Sequence, residues 1–327
     1  MPEPTRITIA GAGSIGCFTG GLLAAAGLPV TLLARDRIIG EITNNGLTLT
    51  DYTGLAKTLP ADALTLTTSP GCLATAGLIL VTVKTAATAG IAADIARHAR
   101  SQIPVVSLQN GLDAVETLRA ALPGHDVRAA MVPFNVVPES PGHYHRASSG
   151  DIVIGAGPGH IAAALSVPGL PISEHRDITA LQWGKLLINL NNALNALSGL
   201  PVQKMLLSRD WRYLMADQMA EALQVLRAAG IHARSTTPLP AALIPPVLRL
   251  PTWAFSRIAA QMLTIDPVAR TSMAYDLQNR RPTEIDSLQG RIIALGKTHA
   301  IPTPICTRVA QEITRATQPG LHPDMLR

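Results

Sequence analysis

In the stretch Trp183-Gly184-Lys185-Leu186-Leu187-Ile188-Asn189-Leu190-Asn191-Asn192, Lys185, Asn189 and Asn192 recur at i, i+4 and i+7. One continuous helix would bring an ammonium and two amides to a single face. Asparagine is a poor helix-interior residue, and with Asn191 and Asn195 close by in apolar surroundings the cluster is destabilising unless its amides find partners. Those partners are either a bound polar ligand or a hydrogen-bonded network between helices or subunits, and the pattern leaves both open.

A second constellation lies near the start of the chain. Gly11-Ala12-Gly13-Ser14-Ile15-Gly16 follows an apolar run and opens a small-residue helical pattern, the context in which a glycine-rich turn signifies a dinucleotide site. Gly11 would permit the tight turn, Gly13 would let the backbone approach a pyrophosphate, and Gly16 would let the helix pack close to the strand. The next apolar run ends at Arg35, where an NAD-selective site would carry an acid for the ribose 2′-hydroxyl. An arginine there can bind the 2′-phosphate of NADP; Asp36 follows it, and the plainer alternative is a solvated strand-end charge. Lys84, after Val81-Thr82-Val83, and Asn110, after Ser107-Leu108-Gln109, also fall at strand ends where ligands of doubly wound sheets bind. Each has an ordinary alternative, a surface charge for Lys84 and turn chemistry for Asn110-Gly111.

A third cluster joins Thr271-Ser272-Met273 to Pro282-Thr283-Glu284-Ile285-Asp286. Pro282 can open a helix with Glu284 in its first turn, where an acid is an ordinary cap. His143 and His145 lack companion ligands at metal spacing and read as loop residues, so no metal is expected. Cys17, Cys72 and Cys306 share no metal or redox spacing and predict reduced thiols in a cytoplasmic protein.

The elements that must position these groups fall into two sets. Apolar runs at Arg6–Ala10, Val30–Ala34, Leu78–Val83 and Val105–Leu108 alternate with helical patterns at Ser14–Ala26 and Ala86–Ala99, which predicts an α/β domain with a parallel sheet. Short β-like pieces over Val127–Ile154, with Ser149-Gly150 as a hairpin turn, read as the far edge of that sheet. Beyond about Ile178 helical patterns dominate, at Leu181–Ser198, Asp210–Ala229, Trp253–Leu263 and Thr283–Gly296. Five prolines between Ser235 and Pro251 predict a loop or lid in place of a continuous helix. The expected division is thus a dinucleotide-binding domain over 1–177 and an all-α domain over 178–327. With 327 residues, 47% hydrophobic and 15% charged, the chain can bury two cores and is not disordered. Lys plus Arg number 27 against 22 for Asp plus Glu, a balance suited to a small anion, and 3% aromatics offer few platforms for stacking bases, so no nucleic-acid role is expected. The glycines that divide the uncharged run Ile7–Ala34 exclude a membrane span there. Apolar helix faces in the second domain are compatible with a homodimer.

With these residues in view, the sequence resembles the ketopantoate reductase family (2-dehydropantoate 2-reductases) from Arg6 to about Thr314. GAGSIG, VTVKT, VSLQNGL, WGKLLINLNNALNALSG and RPTEID occur in the family's order. The resemblance implies an N-terminal Rossmann-type doubly wound sheet, a C-terminal helical domain like that of 6-phosphogluconate dehydrogenase, and a cleft between them. It implies reduction of the 2-oxoacid 2-dehydropantoate to (R)-pantoate by NADPH, within pantothenate and coenzyme A synthesis. Carried over by motif, Lys185 looks like the general acid and Glu284 like the acceptor of the substrate's terminal hydroxyl. Asn110, Asn189, Asn192 and Ser272 look like the groups that fix the substrate. Gly11, Ala12, Gly13, Ser14, Ile15 and Gly16, with Arg35, Lys84 and Asn110, look like the cofactor site. Three departures stand out: Asn192 follows Asn189 by three residues where four is usual, Gln289 precedes Gly290 where an asparagine is usual, and the proline-rich segment Ser235–Pro251 is longer than the family's shorter members need. The shifted asparagine and the proline-rich segment motivate one alternative, a reductase of another 2-oxoacid or imine. A second, a catalytically silent NADP-binding regulator, follows from the glycine turn, which alone would support binding without chemistry.

Overall fold

The computed structural model describes residues 5–263, 269–315 and 326. The chain divides between Thr179 and Ala180 into two compact units. In the first, β1 (Ile7–Ala10), α1 (Ser14–Ala25), β2 (Val30–Leu33), α2 (Asp36–Asn45), β3 (Leu47–Asp51), β4 (Ala56–Leu59), β5 (Thr65–Thr67) and β6 (Leu78–Val81) come first. They are followed by α3 (Thr88–His98), β7 (Pro104–Ser107), α4 (Asp113–Ala121), β8 (Asp126–Met131), β9 (Val136–Ser140), β10 (His143–Arg146), β11 (Ile152–Gly155), α5 (Ile161–Leu165) and β12 (Ile172–His175). The main sheet has the order β12-β11-β8-β7-β6-β1-β2-β5. From β5 to β8 every pair is parallel, β11 runs antiparallel to β8, and β12 is parallel to β11. This is a doubly wound Rossmann-type sheet whose order reverses beside β1, so the carboxyl ends of β1, β6 and β7 are neighbours.

A second sheet, β4-β3-β10-β9, corrects the reading of Val127–Ile154 as one sheet edge. Only β8 and β11 of that stretch join the main sheet. β9 and β10 instead form a hairpin around Pro141-Gly142, and β10 runs parallel to β3. Ser149-Gly150 is therefore not a hairpin turn, since β10 and β11 belong to different sheets. His143 and His145 lie on β10, not in a loop, and both rings bond Thr50 Oγ1 of β3, at 2.8 and 2.9 Å. The second sheet explains the composition of α1. A Cβ on Gly20 would lie 2.6 Å from Leu32 of β2, and one on Gly21 would lie 2.7 Å from Leu47 of β3. The helix is clasped by both sheets, and side chains larger than hydrogen would push them apart.

In the second unit the helices are α6 (Ile178–Asn189, beginning just before the division), α7 (Asn191–Ser198), α8 (Val202–Leu207), α9 (Arg209–Ala228), α10 (Ile244–Leu248), α11 (Thr252–Ile258), α12 (Ala260–Leu263), α13 (Ser272–Gln278), α14 (Arg291–Thr298) and α15 (Pro304–Arg315). Three expected helices are interrupted. Leu181–Ser198 breaks at Leu190 into α6 and α7, and Trp253–Leu263 breaks into α11 and α12. Thr283–Gly296 begins late, at Ile285, and passes through a π turn, Asp286–Gly290, before α14. The proline-rich stretch is not featureless: Pro245 and Pro246 fit the first turn of α10, where their missing N–H groups are not needed.

What anchors that stretch is Arg212 of α9, which is fully buried. Its Nε donates to Leu248 O at 3.1 Å, its Nη1 to Leu206 O and Leu207 O at 3.0 and 3.1 Å, and its Nη2 to Leu250 O and Thr252 Oγ1 at 3.1 Å each. The guanidinium also lies 4.5 Å from the Phe255 ring centroid. Five neutral oxygens thus meet the five N–H donors of the fork, and burial lowers the proton affinity of the group without a carboxylate in that set. Arg212→Lys keeps the charge and loses the fork, so urea unfolding should show a loss of about 2–4 kcal/mol. A loss below about 0.5 kcal/mol would remove Arg212 as the anchor.

Candidate active site

In the first unit the glycine turn is held by β2 and β6. Gly11 and Ala12 N–H groups donate to Leu33 O at 2.9 and 2.8 Å, and Thr82 Oγ1 donates to Gly11 O at 3.0 Å. Gly11 adopts φ +88°, and a Cβ there would collide with Val83 Cγ1 at 2.1 Å. A Cβ on Gly16 would lie 2.5 Å from Thr82 Oγ1 and 2.9 Å from Ile9 Cγ2, so its absence lets α1 sit tightly on the sheet. Gly13 is different: no atom lies within 4 Å of its Cβ position. Packing within the protein does not require glycine there, and the first turn of α1, with Ser14 and Ile15, has neither a side-chain cap nor an acidic residue. An open cradle at a helix N-terminus fits the pyrophosphate of a dinucleotide. Arg35 is exposed at the N-cap of α2, two residues beyond the Leu33 carbonyl that holds the turn.

Lys84 and Asn110 lie exposed after β6 and β7, and sequence reading missed what aligns them. Buried Gln109 accepts from Ser107 Oγ at 3.1 Å and donates to Thr88 Oγ1 at 2.7 Å, and Thr88 Oγ1 donates to Thr85 O at 2.8 Å. This relay ties the end of β7 to the turn that follows Lys84.

In the second unit Lys185 and Asn189 lie on α6, while Asn192 lies beyond the break, on α7. The single-face arrangement expected for all three is thus interrupted between the second and the third. Lys185 is partly exposed as a residue, yet burial of its amine pulls its pKa down to about 8, and the carboxylate of Glu284 pulls in the opposite direction. Glu284 lies just before the helical turn beginning at Ile285, not within its first turn, and its backbone carbonyl accepts from Leu288 N–H at 3.2 Å. Beside Lys185, a Cβ on Gly184 would lie 1.8 Å from Arg234 O, so the chain after α9 packs directly on α6; Arg234 N–H also donates to Ala180 O at 2.9 Å.

Ser272 opens α13, placed by its neighbour Thr271. Thr271 N–H donates to Asn195 Oδ1 at 3.0 Å, and Thr271 Oγ1 donates to Asn192 O at 3.1 Å. Fully buried Asn195 also donates to Leu200 O at 2.9 Å. For Asn195 the interhelical network is therefore the answer, and it sets Ser272 beside the α7 segment that carries Asn192. Among the described residues no group of three His, Cys, Asp or Glu side chains could hold a metal ion. No described helix is long and apolar enough to cross a membrane.

Two sequence profiles cover most of this architecture. That of ketopantoate reductase PanE/ApbA matches residues 7–159, and that of its C-terminal part matches residues 177–316. The chain belongs to the ketopantoate reductase family. It is thus a member of an oxidoreductase family of pantothenate biosynthesis whose reductants are nicotinamides. The 2-dehydropantoate 2-reductase of Halobacterium salinarum is 25% identical over 325 residues, 96% of this chain and all of that protein. The crystal structure of a PanE/ApbA family ketopantoate reductase from Ralstonia eutropha superposes with a TM-score of 0.81 at 29% identity, covering 95% of this chain and 97% of that one. A D-mandelate dehydrogenase solved with NADH and anilino(oxo)acetate shares the fold at a TM-score of 0.75 and 20% identity, covering 95% and 97%.

Adding a methyl group at three glycines separates packing from ligand space in this reductase family member. Gly16→Ala and Gly184→Ala should each lower unfolding stability by about 1–3 kcal/mol, whereas Gly13→Ala should stay within about 0.5 kcal/mol of wild type. Thermal unfolding of the three proteins checks this, and a Gly13→Ala loss equal to the other two would assign Gly13 to the core.

Proposed function

We propose that the protein reduces 2-dehydropantoate to (R)-pantoate with NADPH, Lys185 acting as the general acid. The observation that carries this reading is the buried amine of Lys185 on α6 under the charge of Glu284, which comes from a separate segment just ahead of the π turn. The family membership and the open cradle at Gly13 support it.

The reduced nicotinamide, when bound, supplies the hydride to the C2 carbonyl carbon. Lys185 gives its proton to the carbonyl oxygen, which becomes the hydroxyl of the product, and is left as a neutral amine. Before that transfer its charge stabilises the developing alkoxide, and a pKa of about 8 balances having the proton against releasing it. Glu284 keeps the ammonium charged and accepts the substrate's terminal hydroxyl, an arrangement that rejects oxoacids lacking that group. Asn110, Asn189, Asn192 and Ser272 fix the substrate's polar groups. The Gly11–Gly16 turn takes the pyrophosphate, Lys84 the nicotinamide ribose, and Arg35 the 2′-phosphate. The second unit exposes large apolar side chains, Trp253 at 73% among them, and we assign its apolar helix faces to a homodimer contact. Light scattering that finds only monomers would refute that assignment.

Several outcomes test the assignment. Lys185→Ala should lower kcat about 10²- to 10⁴-fold, and near-normal turnover would end the general-acid role. Because the acid must be protonated, kcat/KM should fall as pH rises through about 8. Glu284 raises the Lys185 pKa, so Glu284→Gln should move that fall to lower pH; an unmoved profile would uncouple the pair. Arg35→Ala should weaken NADPH about 10- to 100-fold while sparing NADH, and equal losses would refute the 2′-phosphate contact. Parallel assays with other 2-oxoacids decide the substrate.

A further inference from the structure

Gln289 is fully buried and uses only one end of its amide. Its Nε2 donates to Leu190 O at 2.8 Å, while its Oε1 meets no donor among the described residues. An unpaired buried amide oxygen is destabilising by about 1–3 kcal/mol, and a leucine of similar size would avoid that penalty. The donor end must therefore do something that an apolar side chain cannot.

Both ends of this hydrogen bond fall on irregular backbone. Leu190 is the residue at which α6 gives way to α7, lying between Asn189 and Asn191, and it keeps helical dihedrals of φ −53° and ψ −28°. No proline or glycine marks the break. Gln289 belongs to the π turn Asp286–Gly290, which runs without a cap into α14. π turns are uncommon and occur often at functional sites. Glu284 lies just ahead of this turn and is tied to it through its carbonyl, which accepts from Leu288 N–H at 3.2 Å, next to Gln289. One buried amide thus links the segment that carries Glu284 to the junction that ends the helix of Lys185. The link continues along α6: Leu190 N–H donates to Leu186 O at 3.0 Å, on the turn that holds Lys185.

We propose that Gln289 is a positioning residue of the active site, its amide fixing the α6–α7 junction so that Asn189 and Lys185 keep their register against Glu284. Gln289 touches neither substrate nor cofactor and acts through Leu190. The inference rests on the reading of Lys185 as the general acid.

Gln289→Leu and Gln289→Met remove the donor and nearly preserve volume. Each variant is measured for kcat and KM with 2-dehydropantoate and NADPH, for melting temperature, and for the titration of Lys185 by NMR of its Cε–Nζ group, assigned by loss of the signal in Lys185→Ala. The expected result is a fall in kcat of about 10- to 100-fold with the melting temperature within about 3 °C of wild type. The Lys185 midpoint should move from about 8 by about half a pH unit or more, upward where water reaches the loosened amine and downward where its register against Glu284 is lost. An unchanged midpoint overturns the proposal whatever kcat does, and so does failure of both variants to fold, which would make Gln289 a core residue. If wild-type protein leaves 2-dehydropantoate untouched, the substrate assignment falls while the titration still decides the role of Gln289.

Discussion

The second unit depends on keeping positive charge stable where water is scarce. An ammonium taken out of water loses its proton unless an opposite charge or hydrogen-bond acceptors compensate. Lys185 is compensated partially, by Glu284, and keeps a proton that it can release. Arg212 is compensated by five neutral oxygens and stays a fixed cation that ties α8, α9 and the proline-rich chain together. The same physical problem thus has two solutions in one helical unit. The labile one suits chemistry and the inert one suits architecture.

In the first unit the constraint is space. Gly11, Gly16, Gly20 and Gly21 each lack a side chain because a neighbouring side chain occupies its place, which fixes the turn and clasps α1 between two sheets. Gly13 lacks one although nothing of the protein fills the space. That contrast separates open space at the start of α1 from packing.

Much of this was legible in the sequence because the signals were local. A strand, a glycine turn and a helix in immediate succession define β1, the turn and α1 to within a residue, and alternation of strands with helices gives the parallel sheet. The second sheet was not legible, since β10 pairs with β3 from the far side of the unit and no local pattern announces that partner. The roles of Arg212, Gln109 and Gln289 escaped for a related reason: most of their partners are backbone carbonyls or small hydroxyls, which sequence does not mark. The break at Leu190 carries neither proline nor glycine, so the helical period runs straight across it. Glu284 read as an ordinary cap because helix starts favour acids; it does lie just ahead of the helical turn, and what no local pattern announces is that its charge raises the proton affinity of a lysine from another segment.

The claim on which the rest turns is that an ammonium at position 185 delivers the proton that completes carbonyl reduction. Chemical rescue tests it most directly: Lys185→Ala is assayed with a series of small primary amines of differing basicity. The account predicts that turnover returns in proportion to the concentration of the protonated amine and varies with its acidity, as expected for proton donation in the rate-determining transition state. Turnover that stays at the variant's background with every amine, or that rises equally with an uncharged amide of the same size, would contradict it.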